Sequence, residues 1–236
     1  MTTPTTITKL HLNKPTIVFG VPVFVYLCVV AVSVLIAVAM MRFGVDTFDP
    51  NVQQGFRNNG GAIWSVAGFF VYLGVQAVAS TFPFAMSMGT TRRAYISGTA
   101  AYFFIQSVAT GAIALALGSI EKATNHWWTG AHVFDVYILG AGDSLRLFAI
   151  TTMMTWVALS IGAAFGALFV KAGPKGPVVG AITAVVVLVA LVAWAAPHIS
   201  GWAAHATWTW VVYGGLILVV MALIVQYTAL RHASVR

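Results

Sequence analysis

Charge is scarce in this chain. Only 7% of its 236 residues are Asp, Glu, Lys or Arg, against roughly a quarter in an ordinary soluble domain, which excludes a water-surfaced globular fold. Acid is scarcer still: five carboxylates stand against twelve Lys and Arg, a formal net charge of +7. The single cysteine, Cys28, excludes an intrachain disulfide. No G-x-x-x-x-G-K-[ST] run occurs, so the chain carries no phosphate-cradling loop of its own. The long apolar runs contain no Asp, Glu, Lys, Arg or His, which counts against a proton- or ion-coupled carrier, since such proteins usually keep one at membrane depth. Energy for transport would then come from another chain.

Apolar residues fill the space that charge leaves. They make up 60% of the chain, and the mean hydropathy is +0.91. Six stretches, about 18–41, 61–85, 95–118, 147–170, 177–196 and 206–229, lack Asp, Glu, Lys and Arg altogether, and each reaches the roughly 20 residues needed to cross the hydrocarbon core. In lipid only helices and closed barrels satisfy every backbone group, and barrel strands would be shorter and alternating. The expectation is an all-α, polytopic membrane protein of six transmembrane helices, one domain over 1–236. The first run, from Ile17 to Met41, is too long for a cleaved signal. The 119–146 connection is the longest, with an apolar centre, AHVFDVYILG, suited to an interface.

Orientation follows from the basic residues. Six spans place Lys9, Lys14, Arg92, Arg93, Lys171, Lys175, Arg231 and Arg236 on one side with no acid among them. The other side holds Arg42, Arg57, Lys122 and Arg146 together with all five acids, Asp46, Asp49, Glu121, Asp135 and Asp143. The positive-inside rule puts both termini in the cytoplasm of a multi-pass cell-membrane protein. Trp64, Trp127, Trp128, Trp194, Trp202, Trp208 and Trp210 then fall near the outer interface, with only Trp156 deep in a span. The positive charge is thus a topology signal, and nucleic-acid binding is not expected.

Polar residues within the spans are few. Gln76 and Gln106 lie near the centres of spans two and three, either as interhelical glue or, with Trp156, along a substrate path. Ala158, Gly162 and Gly166 recur every four residues in span four, a spacing that lets two backbones approach closely. His126, His132, His198 and His205 fall in or near the outer loops beside Asp135 and Asp143. A metal- or haem-dependent membrane enzyme is the rival reading they raise, but no pair has the i, i+4 spacing of a zinc-binding helix, and they read as interfacial polar residues. No metal site is expected.

Residues 82–104 read FPFAMSMGTTRRAYISGTAAYFF. Pro83 near the end of span two and then Met88 and Gly89 mark a kink and a stop, and Thr90 or Thr91 can cap the next helix. Arg92 and Arg93 then sit in that helix's first turn, where the macrodipole disfavours cations, so the helix they begin does not explain them. Topology is one explanation, with anionic headgroups as partners. A rigid, cationic docking turn is the other.

The run FPFAMSMGTTRRAYISGT resembles the cytoplasmic segment between helices two and three of type-2 ABC transporter permeases, which carry a Leu/Met-Gly-x-[ST]-Arg-Arg stretch followed by an aromatic and a glycine. Met88, Gly89, Thr90, Thr91, Arg92, Arg93, Tyr95 and Gly98 stand at those positions. The resemblance implies a six-helix permease bundle that exports an amphipathic or hydrophobic substrate (a drug, peptide or lipid). It would act with a second permease, as homo- or heterodimer, and couple through residues 86–96 to a separate ATP-binding cassette subunit that holds ATP and Mg. The chain itself would need no cofactor and catalyse nothing. A departure is the long loop between spans three and four, where the family often enlarges the connection between five and six. A non-catalytic immunity or sensor protein is a further alternative.

Overall fold

The computed structural model describes residues 3–13, 15–198, 207–231 and 233. His205, Trp202, Lys14 and Arg236 therefore lie outside the described residues. Among those described, the chain is helical throughout. α1 (Pro4–Leu12) and a π-helical turn (Thr16–Gly20) lead into α2 (Val21–Arg42). α3 (Pro50–Arg57), α4 (Gly61–Ala79) and α5 (Thr81–Ser87) follow, and then the long α6 (Arg92–Ala123). A connection with short helical turns at His126–Gly130 and Tyr137–Leu139 leads to α7 (Ser144–Ala172), α8 (Lys175–Ala195) and α9 (Thr209–Arg231).

Among the described residues six helical runs are long and apolar enough to cross a membrane: Thr16–Arg42, Pro50–Ser87, Arg92–Ala123, Ser144–Ala172, Lys175–His198 and Thr209–Arg231. Their ends are set by local chemistry. Asp49 caps α3 by accepting from the Asn51 N–H at 2.8 Å, with Pro50 preset for the first turn. Asp143 caps α7 through the Leu145 and Arg146 N–H groups and pairs with the Arg146 guanidinium at 3.1 Å. Thr91 Oγ1 accepts from the Ala94 N–H and opens α6. Pro83 has no N–H to donate and its ring would press on the carbonyl of residue 79. The helical path breaks there: Ser80 has φ −97°, and α5 is a separate short helix.

The described chain divides into two compact units: Met1–His11, Val71–Ala101 and Val157–Arg236 in the first, Leu12–Phe70 and Tyr102–Trp156 in the second. α4, α6 and α7 each give one stretch to both. All five acids belong to the second unit, and the first has none.

In the first unit α4 and α7 touch backbone to backbone. A Cβ on Gly162 would meet the Val71 carbonyl carbon at 2.9 Å and the Gly74 Cα at 3.0 Å, and one on Gly74 would meet the Ala163 nitrogen at 3.0 Å. Gly166 faces Val75 in the same seam, and Ala158 is buried one helical repeat away. α1 lies against the start of α6, where Ile7 is buried and Thr8 Oγ1 donates to the Gly98 carbonyl at 3.0 Å. α8 is different: nearly every side chain from Val178 to Trp194 is exposed and apolar.

The second unit is knit by buried side chains. Gln106 Nε2 donates to the Val18 carbonyl at 2.6 Å; four residues on is Pro22, which has no N–H to give that oxygen. Tyr26 meets Phe134 edge-on at 5.4 Å, and Gly118 gives room for Leu147 and Phe134.

Candidate functional site

Two places gather polar groups: the turn between α5 and α6 in the first unit and the 121–135 region in the second.

At the turn, Gly89 takes φ +76°, a left-handed value that suits glycine, and reverses the chain between α5 and α6. Met88 is 61% exposed, and Gly89, Thr91 and Arg93 are exposed beside it. Thr90 is buried. Tyr95 is fully buried; its ring packs edge-on against Phe82 at 5.2 Å and its hydroxyl donates to the Ala77 carbonyl. The turn is thus rooted in α4 and α5 on one side and open on the other.

Arg92 corrects the expectation that both arginines are offered outward. It is half-buried, and its guanidinium donates to the Leu230 carbonyl and, at 2.8 Å, to the Ala233 carbonyl. The last carbonyls of a helix lack intrahelical partners and carry the negative end of its dipole. Arg92 therefore serves the C-terminus of α9, where a cation is favourable, although it starts α6, where it is not. Among the described residues the Arg93 side chain makes no such contact. A cavity of about 290 Å³ opens between Arg92, Arg93, Ile96, Tyr227 and Arg231, with no acid in the unit to balance its three guanidinium groups.

Of the residues expected along a substrate path, Gln76 is exposed and donates to the Tyr72 hydroxyl at 3.2 Å. Gln106 is fully buried and spent on Val18, so it acts as glue between elements. Trp156 is half-buried with its ring edge-on to Phe104 at 5.3 Å. Gln76 belongs to the first unit and the other two to the second.

The 121–135 region is denser than the sequence suggested. Glu121 is fully buried near the end of α6. Its carboxylate accepts from three successive backbone N–H groups: Val133 at 3.2 and 3.3 Å, Phe134 at 2.8 Å and Asp135 at 3.2 Å. Asp135 Oδ2 in turn accepts from Arg57 Nη2 at 2.9 Å and lies 3.1 Å from His126 Nε2 and 3.3 Å from His132 Nδ1. The two imidazoles lie against each other at a tilt of 40°, with centroids 3.8 Å apart. His132 is fully buried, and neither of its ring nitrogens has an aligned hydrogen-bond partner.

Electrostatics separates these groups. Burial first, and the neighbouring His126 next, push the His132 imidazole down to about 4 against the pull of Asp135. His132 is therefore neutral near pH 7. Burial alone would raise the Asp135 carboxyl, but the hydrogen bond from His126 and the Arg57 guanidinium together hold it below its usual value.

Backbone strain delivers one of the histidines. Asn125, His126, Trp127 and Trp128 all have φ between 50° and 59°, a left-handed turn made without glycine. Such a conformation costs roughly 1–2 kcal/mol per residue. The Thr124 side chain and carbonyl receive the Trp127 and Trp128 N–H groups and help hold it.

Sequence reasoning placed His126, His132 and Asp135 near one another and treated Glu121 only as a charge. One signal could have found Glu121: an acid in the last turn of a helix opposes the dipole and needs donors from elsewhere. Of the other expected members, Asp143 is occupied at the α7 cap, and His198 ends the Ala196–His198 turn in the first unit beside Trp194. No family model, curated protein or solved structure matches this chain.

Proposed function

We propose that this chain is the membrane-spanning subunit of an ATP-driven exporter, with the resemblance to type-2 ABC permeases naming the class. Both termini and the 86–93 turn face the cytoplasm in this reading, as the positive-inside rule requires. The observation that carries it is the construction of that turn. Met88, Thr91 and Arg93 are exposed on a Gly89 reversal, while Tyr95 and Arg92 bind the same turn to α4 and to the end of α9. A push on the exposed side would reach two helices through direct hydrogen bonds.

The absence of any acid from the first unit favours a partner with an acidic cleft. A separate ATP-binding cassette subunit, holding ATP and Mg, supplies the energy, and this chain hydrolyses nothing. The apolar surface of α8, exposed on nearly all sides, suits lipid and a second permease. The cargo is amphipathic or hydrophobic, since no span carries a charge in its middle to receive an ion.

The test is coupling. Arg93→Glu should abolish nucleotide-driven transport and copurification of an ATPase while leaving membrane insertion intact, because the Arg93 side chain has no hydrogen bond or ion pair among the described residues. Full transport by that variant, or purification from native membranes without an ATP-binding subunit, would overturn the reading.

A further inference from the structure

The 121–135 cluster has no part in coupling to an ATPase, yet it has the chemistry of a ligand site. We propose that His126, His132 and Glu121 bind one divalent transition-metal ion of the zinc class, with Asp135 as the residue that positions both imidazoles. Each of the three residues brings a ligand atom within 4.8 Å of the others. Two imidazoles and one carboxylate form a common zinc donor set. A tetrahedral ion with bonds of about 2.0–2.1 Å needs its ligand atoms about 3.3 Å apart, so closure from within 4.8 Å asks for up to about 1.5 Å of movement.

Three observations favour an ion over a purely internal knot. First, His132 is fully buried, and among the described residues its Nε2 has no hydrogen-bond partner, an arrangement that is costly unless something else occupies the site. Second, Asp135 Oδ2 stands 3.1 Å from one imidazole and 3.3 Å from the other, as a carboxylate does when it orients metal-binding histidines from outside. Arg57 in turn fixes Asp135 at 2.9 Å. Third, a run of four left-handed residues, none of them glycine, brings the His126 ring to 3.8 Å from that of His132. Strain of that kind persists where it serves a local arrangement.

Charge does not oppose the ion. Arg57 neutralises Asp135 and the neighbouring Lys122 ammonium is turned to the Gly142 carbonyl, while Glu121, which holds the 133–135 N–H groups, would share one carboxylate oxygen with the ion. The three ligands come from the end of α6 and from the loop that follows it, so the ion would clamp that loop to the helix. On the orientation proposed above, the clamp lies on the outer side of the membrane.

The experiment uses the full chain in detergent, purified without a histidine tag, stripped with a chelator and titrated with Zn2+ and then Co2+. Expected are one Zn2+ per chain by elemental analysis and calorimetry, and the visible absorption of tetrahedral Co2+. His126→Ala and His132→Gln should each weaken binding at least about 100-fold, and Asp135→Asn by about 10-fold to 100-fold. His198→Ala should bind like the parent, and circular dichroism should show that each variant is folded. Absence of stoichiometric metal in the folded parent would overturn the proposal, and so would binding unchanged in both His126 and His132 variants. Binding lost in His198→Ala instead would place an adventitious ion elsewhere and overturn it too. None of these outcomes depends on whether an ATPase partner exists.

Discussion

Replacing Glu121 by Gln tests how the 131–136 backbone is held. The carboxylate receives Val133, Phe134 and Asp135 N–H groups at 2.8–3.3 Å in a site with no exposure of Glu121. That stretch forms no regular ladder, so these donors have no helical carbonyl to fall back on. The amide keeps one acceptor oxygen and turns an NH2 group toward N–H donors. At least one strong bond is lost and at least one buried donor is left unmet. A hydrogen bond to a charged group contributes about 1.5–3 kcal/mol, and an unsatisfied buried group costs about 1–3 kcal/mol. The expected loss is about 3 kcal/mol in local opening of the loop, or roughly 100-fold in an equilibrium constant.

Amide hydrogen exchange reads this directly. In chelator-treated protein, so that no metal contributes, peptides covering 131–136 should exchange about 100-fold faster in Glu121→Gln than in the parent. Peptides within α8 or α9 should be unchanged. Exchange at 131–136 within about threefold of the parent would refute the reasoning, because the three N–H groups would then have to be held by something other than the carboxylate.

Two other predictions rest on packing and burial. Gly162→Ala places a Cβ 2.9 Å from the Val71 carbonyl carbon, so α4 and α7 must part, at about 1–3 kcal/mol. Thermal unfolding in detergent should show that loss. Gly214→Ala in α9 has nothing within 4 Å of the new methyl and should be neutral or stabilising by up to about 1 kcal/mol; equal effects at the two positions would sink the argument. His11 concerns pH. Burial lowers its imidazole from 6.5 to about 4 where α1 meets Thr99 and Tyr95. Docked α1 thus binds fewer protons than detached α1, so docking is strongest above pH 6.5 and weakens as pH falls toward 4. At pH 5 the loss is about 2 kcal/mol, or about 30-fold in detached α1. Proteolytic release of α1 should rise accordingly, and His11→Gln should flatten the profile; a profile that stays as steep in that variant would assign the effect to another group.

The spans were legible because crossing a bilayer imposes a length and a composition that a single sequence displays. The run expected at 95–118 and α6 at Arg92–Ala123 differ at both ends for a physical reason. Backbone hydrogen bonds continue past the apolar stretch, through Arg92 and Arg93 at one end and Glu121 and Lys122 at the other. The small-residue spacing at 158, 162 and 166 likewise announced a close approach, though not that Gly74 and Val71 are what it approaches. What stayed hidden depends on distance along the chain. Arg92 meets carbonyls 138 and 141 residues away, and nothing local to MGTTRRAY could distinguish it from Arg93. Glu121 meets donors 12–14 residues on, in backbone with no period to reveal it.

The left-handed turn was hidden for a different reason, and it yields the last prediction. Glycine is the usual sign of positive φ, and residues 125–128, Asn-His-Trp-Trp, contain none. At roughly 1–2 kcal/mol each, four such residues form a turn that persists only when held at both ends. Thr124 holds the near end through the Trp127 and Trp128 N–H groups. His126, reaching Asp135 at 3.1 Å, holds the far end to the stretch that Glu121 anchors. Turn and anchor should therefore fail together. Asn125→Pro fixes φ near −65° where the fold has +50°, so His126 should leave Asp135 and exchange at 131–136 should rise toward the Glu121→Gln level. Asn125→Gly accepts the same φ and should leave exchange at the parent rate. If the proline variant leaves 131–136 protected, the strained turn is an independent feature, and its strain is not what sets His126 against Asp135.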